Sequence, residues 1–301
     1  MKGLSVIIPT INRNNILNET IEYAIEALKE IPHEIIVVND SEKDITTAKD
    51  NKIKILRNSK KGAASARNTG AQIAQYDYLL FLDDDILINK ATVDEILNRT
   101  IQDKYKIFLP NWAYPNESLS ILNSYKFGRF LIKINYYKLE GWIGQPLEKD
   151  LSSNATMASY FFLIRKEDFF ELGGYNDRIP HAGFEDYDIS KRLKKNGFEF
   201  YILRELNVIH NENDRHKLKA WLNRKKRNAA TQKQAKLNGN SEIALNYSLS
   251  AHLKWKLLRI LKPLLFTSAA IVPNLKVFDG VYTIITKALT GVYIYEGYNQ
   301  K

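Results

Sequence analysis

The sequence predicts an α/β fold in which a mainly parallel sheet is flanked by helices, with a basic helical extension at the C-terminus. Short apolar runs alternate with helical patterns over residues 1–110, as in successive βαβ units. Buried strands of a parallel sheet are almost entirely apolar, and Leu79–Leu82 is such a run. Asp83–Asp85 follow it directly, where open α/β sheets bind their ligands.

Each element is predicted from its own periodicity, because apolar runs indicate strands and three- and four-residue apolar spacing indicates helices. The predicted strands are Leu4–Ile8, Glu34–Val38, Ile53–Leu56, Tyr78–Leu82, Lys106–Leu109, Met157–Ile164 and Glu199–Leu203. The predicted helices are Asn15–Glu30, Ala63–Ala74, Thr92–Ile101, Lys166–Leu172, Asp186–Lys195, His216–Leu237 and Leu253–Leu265, with a weaker apolar region at Val281–Tyr295. Residues 111–156 interrupt the alternation and are rich in aromatic residues, which either stack on sugar rings or pack an insertion.

The three aspartates predict a cation site. Adjacent carboxylates repel one another and lose hydration when buried, and a bound cation usually offsets both costs. We therefore expect a hard metal ion that carries a phosphate-bearing ligand at Asp83–Asp85. A solvated acidic turn is the alternative.

The net charge of +10 is distributed unevenly. Residues 215–301 contain 16 Lys/Arg and three Asp/Glu, whereas residues 1–214 contain 28 and 31. This asymmetry indicates an anionic partner for the C-terminal segment. We expect a membrane surface and no nucleic acid, because no nucleic-acid-binding motif is present and residues 1–214 are mildly acidic.

The segment Leu253–Leu265 predicts a helix that lies in a membrane interface. One face carries Leu253, Leu257, Ile260, Leu261 and Leu264, the other carries Lys254, Lys256, Arg259 and Lys262, and Trp255 lies nearby. A basic amphipathic helix of this kind binds at the lipid headgroups. The alternative is that its apolar face packs on the N-terminal domain or on a second subunit.

Two further features restrict the class of protein. No cysteine is present, which excludes disulfides, thiolate metal sites and a cysteine nucleophile. Leu4–Ile8 is too short for a signal peptide, and no run of at least about 18 apolar residues predicts a transmembrane helix. We expect a cytoplasmic protein that is peripheral at the cytoplasmic membrane face, and its oligomeric state stays open.

Six segments, in order, resemble the inverting GT-A-fold glycosyltransferases of family 2. They are SVIIPTINR, EIIVVND, KGAASARNTG, LLFLDDD, GGYNDR and GFEDYDISKRLKKNG. The resemblance covers roughly residues 4–212 and implies a GT-A (Rossmann-like) catalytic domain at 1–214. Its nucleotide-binding half is about 1–110 and its acceptor half about 111–214, and residues 215–301 form the amphipathic tail.

The resemblance implies a nucleotide-sugar site at the strand ends. Asp40 can accept hydrogen bonds from a base or a ribose, unless it only caps a turn. Arg67 offers a permanently charged donor fork to the base edge or the diphosphate, unless it is an exposed helix residue. The implied nucleotide-sugar-binding residues are Pro9, Thr10, Asn12, Asp40, Arg67, Asp83 and Asp84.

By the same resemblance Asp83 holds the ribose and Asp85 binds Mn²⁺ or Mg²⁺, which bridges the diphosphate oxygens. Strand-like alternation would place these two side chains on one side, although whether Asp84 or Asp85 is the direct ligand stays open. His210 is a possible further ligand, and its imidazole would favour Mn²⁺ over Mg²⁺. The alternative for His210 is a structural role, and His181 is a weaker candidate for a donor or acceptor contact.

Glu185 and Asp186 resemble the ED motif at a helix N-terminus. The resemblance implies that Asp186 is the general base for the acceptor hydroxyl and that Glu185 binds the acceptor. The alternative is that both are acids favoured by the helix macrodipole. We interpret Asp188 as a surface or capping acid.

The expected function is therefore transfer of a sugar from a nucleoside-diphosphate donor to a hydroxyl of a glycan or lipid-linked saccharide, with a UDP-sugar as the first expectation. A polyprenyl-phosphate glycosyltransferase is a close alternative, because its anionic acceptor needs no base. A nucleotidyltransferase is disfavoured, since no Gly-rich basic loop follows the first strand. A non-catalytic membrane or nucleic-acid adaptor is the alternative of another class.

Overall fold

The computed structural model describes residues 3–47, 50–147, 150–179, 183–212, 216–237 and 240–300. Spatial contacts divide the chain into two compact units. Unit 1 contains residues 1–113 and 145–211, and unit 2 contains residues 114–144 and 212–301. The predicted domain boundary at 214/215 and the candidate His181 lie outside the described residues.

The elements follow the predicted alternation through unit 1. The strands are β1 (Leu4–Thr10), β2 (His33–Asn39), β3 (Ile53–Arg57), β4 (Tyr78–Leu82), β5 (Ile86–Leu87), β6 (Lys106–Ala113), β7 (Leu151–Asn154), β8 (Phe161–Arg165) and β9 (Glu199–His210). The α-helices are α1 (Asn14–Ala27), α2 (Ala63–Ile73), α3 (Lys90–Gln102), α4 (Asn116–Asn123), α5 (Lys126–Lys133), α6 (Leu139–Ile143), α7 (Lys166–Glu171), α8 (Glu185–Lys195), α9 (Leu218–Leu237), α10 (Leu249–Ile260), α11 (Lys262–Ile271) and α12 (Asp279–Asn299).

The main sheet of unit 1 has the strand order β3-β2-β1-β4-β8. Neighbouring strands from β3 to β4 are parallel, and β8 alone runs antiparallel, beside β4. The four central residues Leu79–Leu82 are fully buried, as their apolar run predicts. The carboxyl ends of β1, β2 and β4 consequently meet at one edge, where the candidate residues follow.

A second, smaller sheet was not predicted. Strand β9 pairs with β5, β6 and β7, and it extends to His210, seven residues beyond the predicted end at Leu203. The extension was missed because Arg204–Asn207 is polar and coincides with a bulge in the pairing of β6 with β9. Its result is that the end of β9 reaches β5, directly after the aspartates.

Helix α2 begins after Gly62, whose φ of 122° is a conformation that side chains rarely adopt. Inside the helix, Gly70 packs on β1, and a Cβ there would lie 2.5 Å from Ile7 Cγ2. The small-residue segment KGAASARNTG thus allows α2 to approach the sheet closely. This approach positions Arg67 near the carboxyl end of β4.

In unit 2, residues 114–144 group with the C-terminal helices, although the sequence suggested that they belong to the acceptor half. Aromatic packing explains the grouping. Phe130 of α5 lies 6.3 Å from Trp221 of α9 between ring centroids, and Tyr136 lies 4.6 Å from the same indole. Trp142 contacts Tyr136 at 4.7 Å, so most of these rings pack an insertion, while Trp142 itself is 44% exposed.

The predicted helix Leu253–Leu265 is two helices, α10 and α11, that meet at Leu261. Pro263 lies in the first turn of α11 and has no N–H to continue the hydrogen bonding of α10. The weaker apolar region Val281–Tyr295 lies within α12, which packs against α5, α9, α10 and α11.

Candidate active site

The three aspartates lie in a turn between β4 and β5. The turn is closed by a hydrogen bond from the Ile86 N–H to the carbonyl of Asp83, at 3.2 Å. The backbone there is not extended, and the expected alternation, with Asp83 and Asp85 on one side, is wrong. Each carboxylate instead has a different set of partners, although Asp84 and Asp85 share Arg13, so the three residues are chemically distinct.

Asp84 is held inside the protein. Its carboxylate accepts hydrogen bonds from Thr10 Oγ1 and Arg13 Nη1, both at 2.6 Å. Its backbone carbonyl accepts a third from Thr20 Oγ1 at 2.8 Å. A buried carboxylate needs such donors to stay ionised. Asp84 therefore fixes the turn against β1 and α1.

Asp85 lies beside His210. Asp85 Oδ1 is 3.5 Å from His210 Nε2, and Asp85 Oδ2 is 2.6 Å from Arg13 Nη1. The two residues meet because β5 pairs antiparallel with the end of β9, with Ile86 opposite His210. The indole of Trp112 stands edge-on to the imidazole at 4.6 Å. A carboxylate and an imidazole that are distant in sequence thus form one buried pair.

The donor chemistry of this pair fits a divalent ion. Two ligands about 2.2 Å from one ion and at a right angle are about 3.1 Å apart, close to the 3.5 Å between Asp85 Oδ1 and His210 Nε2. One oxygen and one imidazole nitrogen suit Mn²⁺ better than Mg²⁺, and metal binding by His210 stays a prediction. Such a pair also leaves coordination positions for diphosphate oxygens.

Arg67 connects two of the candidate carboxylates. Its Nη2 lies 2.8 Å from Asp83 Oδ1, and its Nη1 lies 3.0 Å from Glu185 Oε1. The guanidinium also lies over the ring of Tyr175, 5.3 Å from its centroid. Burial lowers the pKa of Arg67, but nearby acidic groups led by Asp83 outweigh it and hold this pKa above its ordinary value. The alternative of an exposed helix residue is therefore wrong, since Arg67 is 4% exposed.

Glu185 begins α8 and is buried. One carboxylate oxygen pairs with Arg67, and the other accepts the Gly183 N–H at 2.6 Å. Both oxygens are therefore engaged within unit 1. Acceptor binding by Glu185 stays a prediction that requires one of these bonds to open.

Asp186 has a different environment. Its carboxylate accepts hydrogen bonds from the Ser159 N–H, at 3.3 Å, and from the Ser159 hydroxyl, which also contacts Tyr175 OH at 2.6 Å. Burial, together with the charge of Glu185, raises the pKa of Asp186 to about 7, against the opposing effects of Arg67 and Ser159. A carboxyl with a pKa near neutrality is suited to accept a proton from a substrate.

Asp40 organises the loop before α2. Its carboxylate accepts hydrogen bonds from Asn58 Nδ2 at 2.7 Å and from the Gly62 N–H at 3.1 Å. Lys61 Nζ bonds its carbonyl at 2.7 Å, and its own N–H donates to the Thr10 carbonyl at 2.8 Å. These contacts match the alternative role of Asp40, in which it caps a turn. Nucleotide binding by its carboxylate stays a prediction that needs an exchange of partners.

The two remaining candidates lie at the carboxyl end of β1. Pro9 pairs with Val38 of β2, and Asn12 follows the strand in a left-handed conformation with φ of 57°. Asn12 is exposed, and its N–H donates to Ser41 Oγ at 3.3 Å. Asparagine tolerates this conformation better than most residues. Both residues border the strand edge at which the other candidates gather.

Three residues of the network carried no predicted role. Arg13 and Tyr175 lie within the quoted segments SVIIPTINR and GGYNDR, so their positions could have been singled out. Ser159 has no sequence signal. It reaches Asp186 because β8 begins, rather than ends, at this edge of the sheet.

Comparisons with known proteins identify the family of the chain. A family model described as glycosyl transferase family 2 matches residues 5–172, more than half of the chain. A protein of Haemophilus influenzae described as an uncharacterized glycosyltransferase is 26% identical over 216 residues, which is 67% of this chain and 66% of that relative. The matches span only 19% to 37% of three other curated relatives, which are longer proteins.

Two solved structures share the fold. The mannosyltransferase PcManGT from Pyrobaculum calidifontis, in complex with GDP-Man and Mn²⁺, has a TM-score of 0.56 at 13% identity and covers 100% of this chain and 89% of its own. GalNAc-T7 with UDP, GalNAc and Mn²⁺ has a TM-score of 0.51 at 17% identity and covers 69% and 43%. At these identities the likeness shows the fold alone, and it confirms the predicted GT-A fold. With the family model matching more than half of its length, the chain belongs to glycosyl transferase family 2.

Proposed function

We propose that the protein is an inverting, metal-dependent glycosyltransferase that transfers a sugar from a nucleoside diphosphate to a hydroxyl group. One observation carries the proposal. In unit 1 the aspartate turn holds Asp85 beside His210, a pair that could bind an ion, and Asp83 of the same turn pairs with Arg67. Arg67 also pairs with Glu185, which directly precedes Asp186, a carboxyl whose pKa is raised to about 7. Donor activation and proton removal are the two tasks of this reaction.

At the donor end, Asp85 and His210 would hold the ion. When bound, Mn²⁺ or Mg²⁺ neutralises the charge that develops on the departing diphosphate. Arg13 pairs with Asp84 and Asp85 and so offsets part of their negative charge. Asp83 has a side chain that is 37% exposed, and it is the aspartate available for a ribose hydroxyl.

At the acceptor end, the oxygen of the acceptor hydroxyl attacks the anomeric carbon of the donor sugar. Asp186 accepts the proton of that hydroxyl during the attack. Attack opposite the leaving diphosphate inverts the configuration at that carbon. Ser159 and Tyr175 orient the carboxylate of Asp186 for this step. The alternative that Asp186 is only an acid favoured by the macrodipole of its helix does not account for its pKa. A helix N-terminus lowers the pKa of an acid, whereas the pKa of Asp186 is raised.

The donor and the acceptor are narrower proposals. The solved neighbours bind UDP in one case and GDP-Man in the other, both with Mn²⁺, which supports a nucleoside-diphosphate sugar; we expect a UDP-sugar first. We propose a hydroxyl of a glycan or a lipid-linked saccharide as acceptor. The poised Asp186 favours it over a polyprenyl phosphate, which needs no base.

We further propose that the enzyme works at the cytoplasmic face of a membrane as a peripheral protein. Residues 215–301, with 16 Lys/Arg and three Asp/Glu, would bring it to lipid-linked acceptors on an anionic surface. Nucleic acid is not an expected partner.

A donor screen tests the proposed function. We expect nucleotide release from one class among UDP-, dTDP- and GDP-sugars, restored by Mn²⁺ or Mg²⁺ after treatment with a chelator. Release that is insensitive to chelation would contradict the metal role of Asp85 and His210. Calorimetry that finds no metal-dependent binding of any nucleoside diphosphate would favour the non-catalytic adaptor.

The pH dependence of the rate follows from Asp186. A base must be deprotonated, so kcat/KM should rise with pH, with a midpoint near 7 and a plateau above about pH 8. Stopped assays at saturating Mn²⁺ measure the dependence of the rate on pH, and a rate that is flat from pH 6 to 8 would contradict the role of Asp186 as base.

The same raised pKa has the opposite effect on stability. Protonated Asp186 stabilises the fold below about pH 4, and this contribution is lost as the pH rises through about 7.

A further inference from the structure

Unit 2 carries a continuous row of exposed apolar side chains on α10 and α11. We call it the apolar stripe; it consists of Leu249, Leu253, Leu257, Ile260 and Leu264, which are 59% to 78% exposed. Within α10 the spacing of three and four residues puts Leu249, Leu253, Leu257 and Ile260 on one side, and Leu264 follows in the first turn of α11. Soluble proteins rarely expose so many large apolar side chains in one row, unless the row contacts a partner.

The opposite side of α10 and α11 is fixed against α12. The indole of Trp255 packs on Gly291 so closely that a Cβ there would lie 2.1 Å from it. His252 Nδ1 is 2.6 Å from Tyr295 OH, and Lys262 Nζ is 2.8 Å from a carboxylate oxygen of Glu296. Trp255, which we expected at a membrane interface, is therefore a packing residue. These contacts determine that the apolar stripe faces away from α12.

The segment between α11 and α12 adds two more exposed apolar residues, Leu275 and Val277. It is anchored at both ends. Lys126 Nζ donates to two carbonyls at the end of α11, at 2.8 and 2.6 Å, and Arg129 pairs with Asp279 at 2.8 Å. The exposure of this segment is therefore built into the fold of unit 2.

Charge identifies the partner of this surface. Lys254, Lys256 and Arg259 are exposed on α10, beside the apolar stripe. A second copy would bring its own residues 215–301, with 16 Lys/Arg and three Asp/Glu, against those of the first copy, and the like charges would repel. An anionic lipid surface offers both a hydrophobic layer and the opposite charge.

Helix α12 offers another way to meet a membrane. Among the described residues, Lys276–Asn299 is the one helix long and apolar enough to cross a bilayer, with 33% of its most apolar stretch buried. Along its length it packs on α9: Leu289 and Val292 are fully buried, and Trp221 Nε1 donates to Thr290 Oγ1 at 3.3 Å. Crossing the bilayer would remove these contacts.

We propose that α10, α11 and residues 272–278 form a face that lies flat on an anionic bilayer, with α12 as its protein-packed support rather than a membrane span. The apolar stripe inserts among the acyl chains near the headgroups, and the neighbouring basic side chains contact lipid phosphates. This face does not depend on the proposed catalytic function. Vesicle binding, which needs no substrate, can therefore fail or succeed independently of activity.

Vesicle flotation with the full chain tests the proposal. We expect binding to phosphatidylcholine vesicles that contain phosphatidylglycerol, at least tenfold weaker binding to phosphatidylcholine alone, and weakening by salt. The double variant Leu253→Glu/Leu257→Glu should lose at least tenfold in vesicle affinity. Its matched control is Ile121→Glu/Leu237→Glu, which changes two residues of unit 2 that are 62% and 74% exposed outside the apolar stripe.

The control separates insertion from bulk charge, because both double variants lower the net charge equally. Equal losses in the two variants would overturn the proposal, as would resistance of the bound protein to alkaline carbonate extraction, which would indicate that α12 spans the bilayer. Sedimentation that shows a dimer broken only by the stripe variant, without vesicle binding, would assign the face to a second copy and also overturn it. Matching thermal unfolding curves confirm that both variants fold.

Discussion

Replacing Asp186 with asparagine should lower kcat for sugar transfer by at least about 100-fold, the low end of what a general base contributes. Asparagine keeps the size of the side chain but cannot accept the hydroxyl proton. Binding of UDP with Mn²⁺ should stay within about twofold, because Asp85 and His210 are untouched. Transfer assays and calorimetry on the same preparation measure the two effects separately.

The control for this prediction is Asp188→Asn, two residues further along the same helix. Asp188 pairs with Arg192 at 2.7 Å, as expected of a surface acid, and its replacement should leave kcat nearly unchanged. Turnover that survives in Asp186→Asn would contradict the proposed base and favour an acceptor that is already anionic. Asp186→Asn should also be more stable than the original protein at pH 8, where the original carboxyl is ionised and partly buried.

Asp85→Asn should strongly reduce the stimulation of nucleotide binding by Mn²⁺. Loss of even a partner of a metal ligand lowers metal affinity about 10- to 100-fold, so loss of a ligand should cost at least about tenfold. His210 would then have a neutral amide beside it in place of the carboxylate of Asp85. Titration of UDP with and without Mn²⁺ measures the difference between the two affinities.

Asp84→Asn is the contrasting variant, since it tests which aspartate is the direct ligand. Asp84 contacts Thr10 and Arg13, and loss of its charge should lower the free energy of unfolding by roughly 2 kcal/mol. The Mn²⁺ dependence should remain. If instead Asp84→Asn removed the Mn²⁺ effect and Asp85→Asn kept it, the ion would belong to Asp84.

The sequence predicts the central strands β1, β2 and β4 of the main sheet well, because they are almost fully buried and therefore form short apolar runs. Tyr78–Leu82 is predicted to the residue, and Asp83–Asp85 lie at the expected edge. Local signals fail where tertiary contacts decide. The end of β9 follows an interrupting stretch, Arg204–Asn207, and it continues as a strand because β5 and β6 pair with it.

In the candidate site, too, local sequence patterns predict positions but not tertiary contacts. Carboxylates at strand ends could be selected from their positions alone, yet the partner of each one could not. Arg67 looks like an exposed helix residue until α2 packs on the sheet, and only then does it pair with Asp83 and Glu185. Pro263 is the converse case, since its effect on α10 and α11 is local and could have been read from the sequence.

The antiparallel pairing of β8 with β4 fixes where the chain returns to the main sheet after β6. Leu82 at the end of β4 pairs with Phe161 at the start of β8, and the Asp83 N–H donates to the Tyr160 carbonyl at 3.2 Å. The chain between β6 and β8, including the whole excursion through residues 114–144, must therefore return to one fixed point. Insertions or exchanges within that excursion should therefore leave the register of β4 and β8, and with it the spacing between Asp83 and Ser159, unchanged.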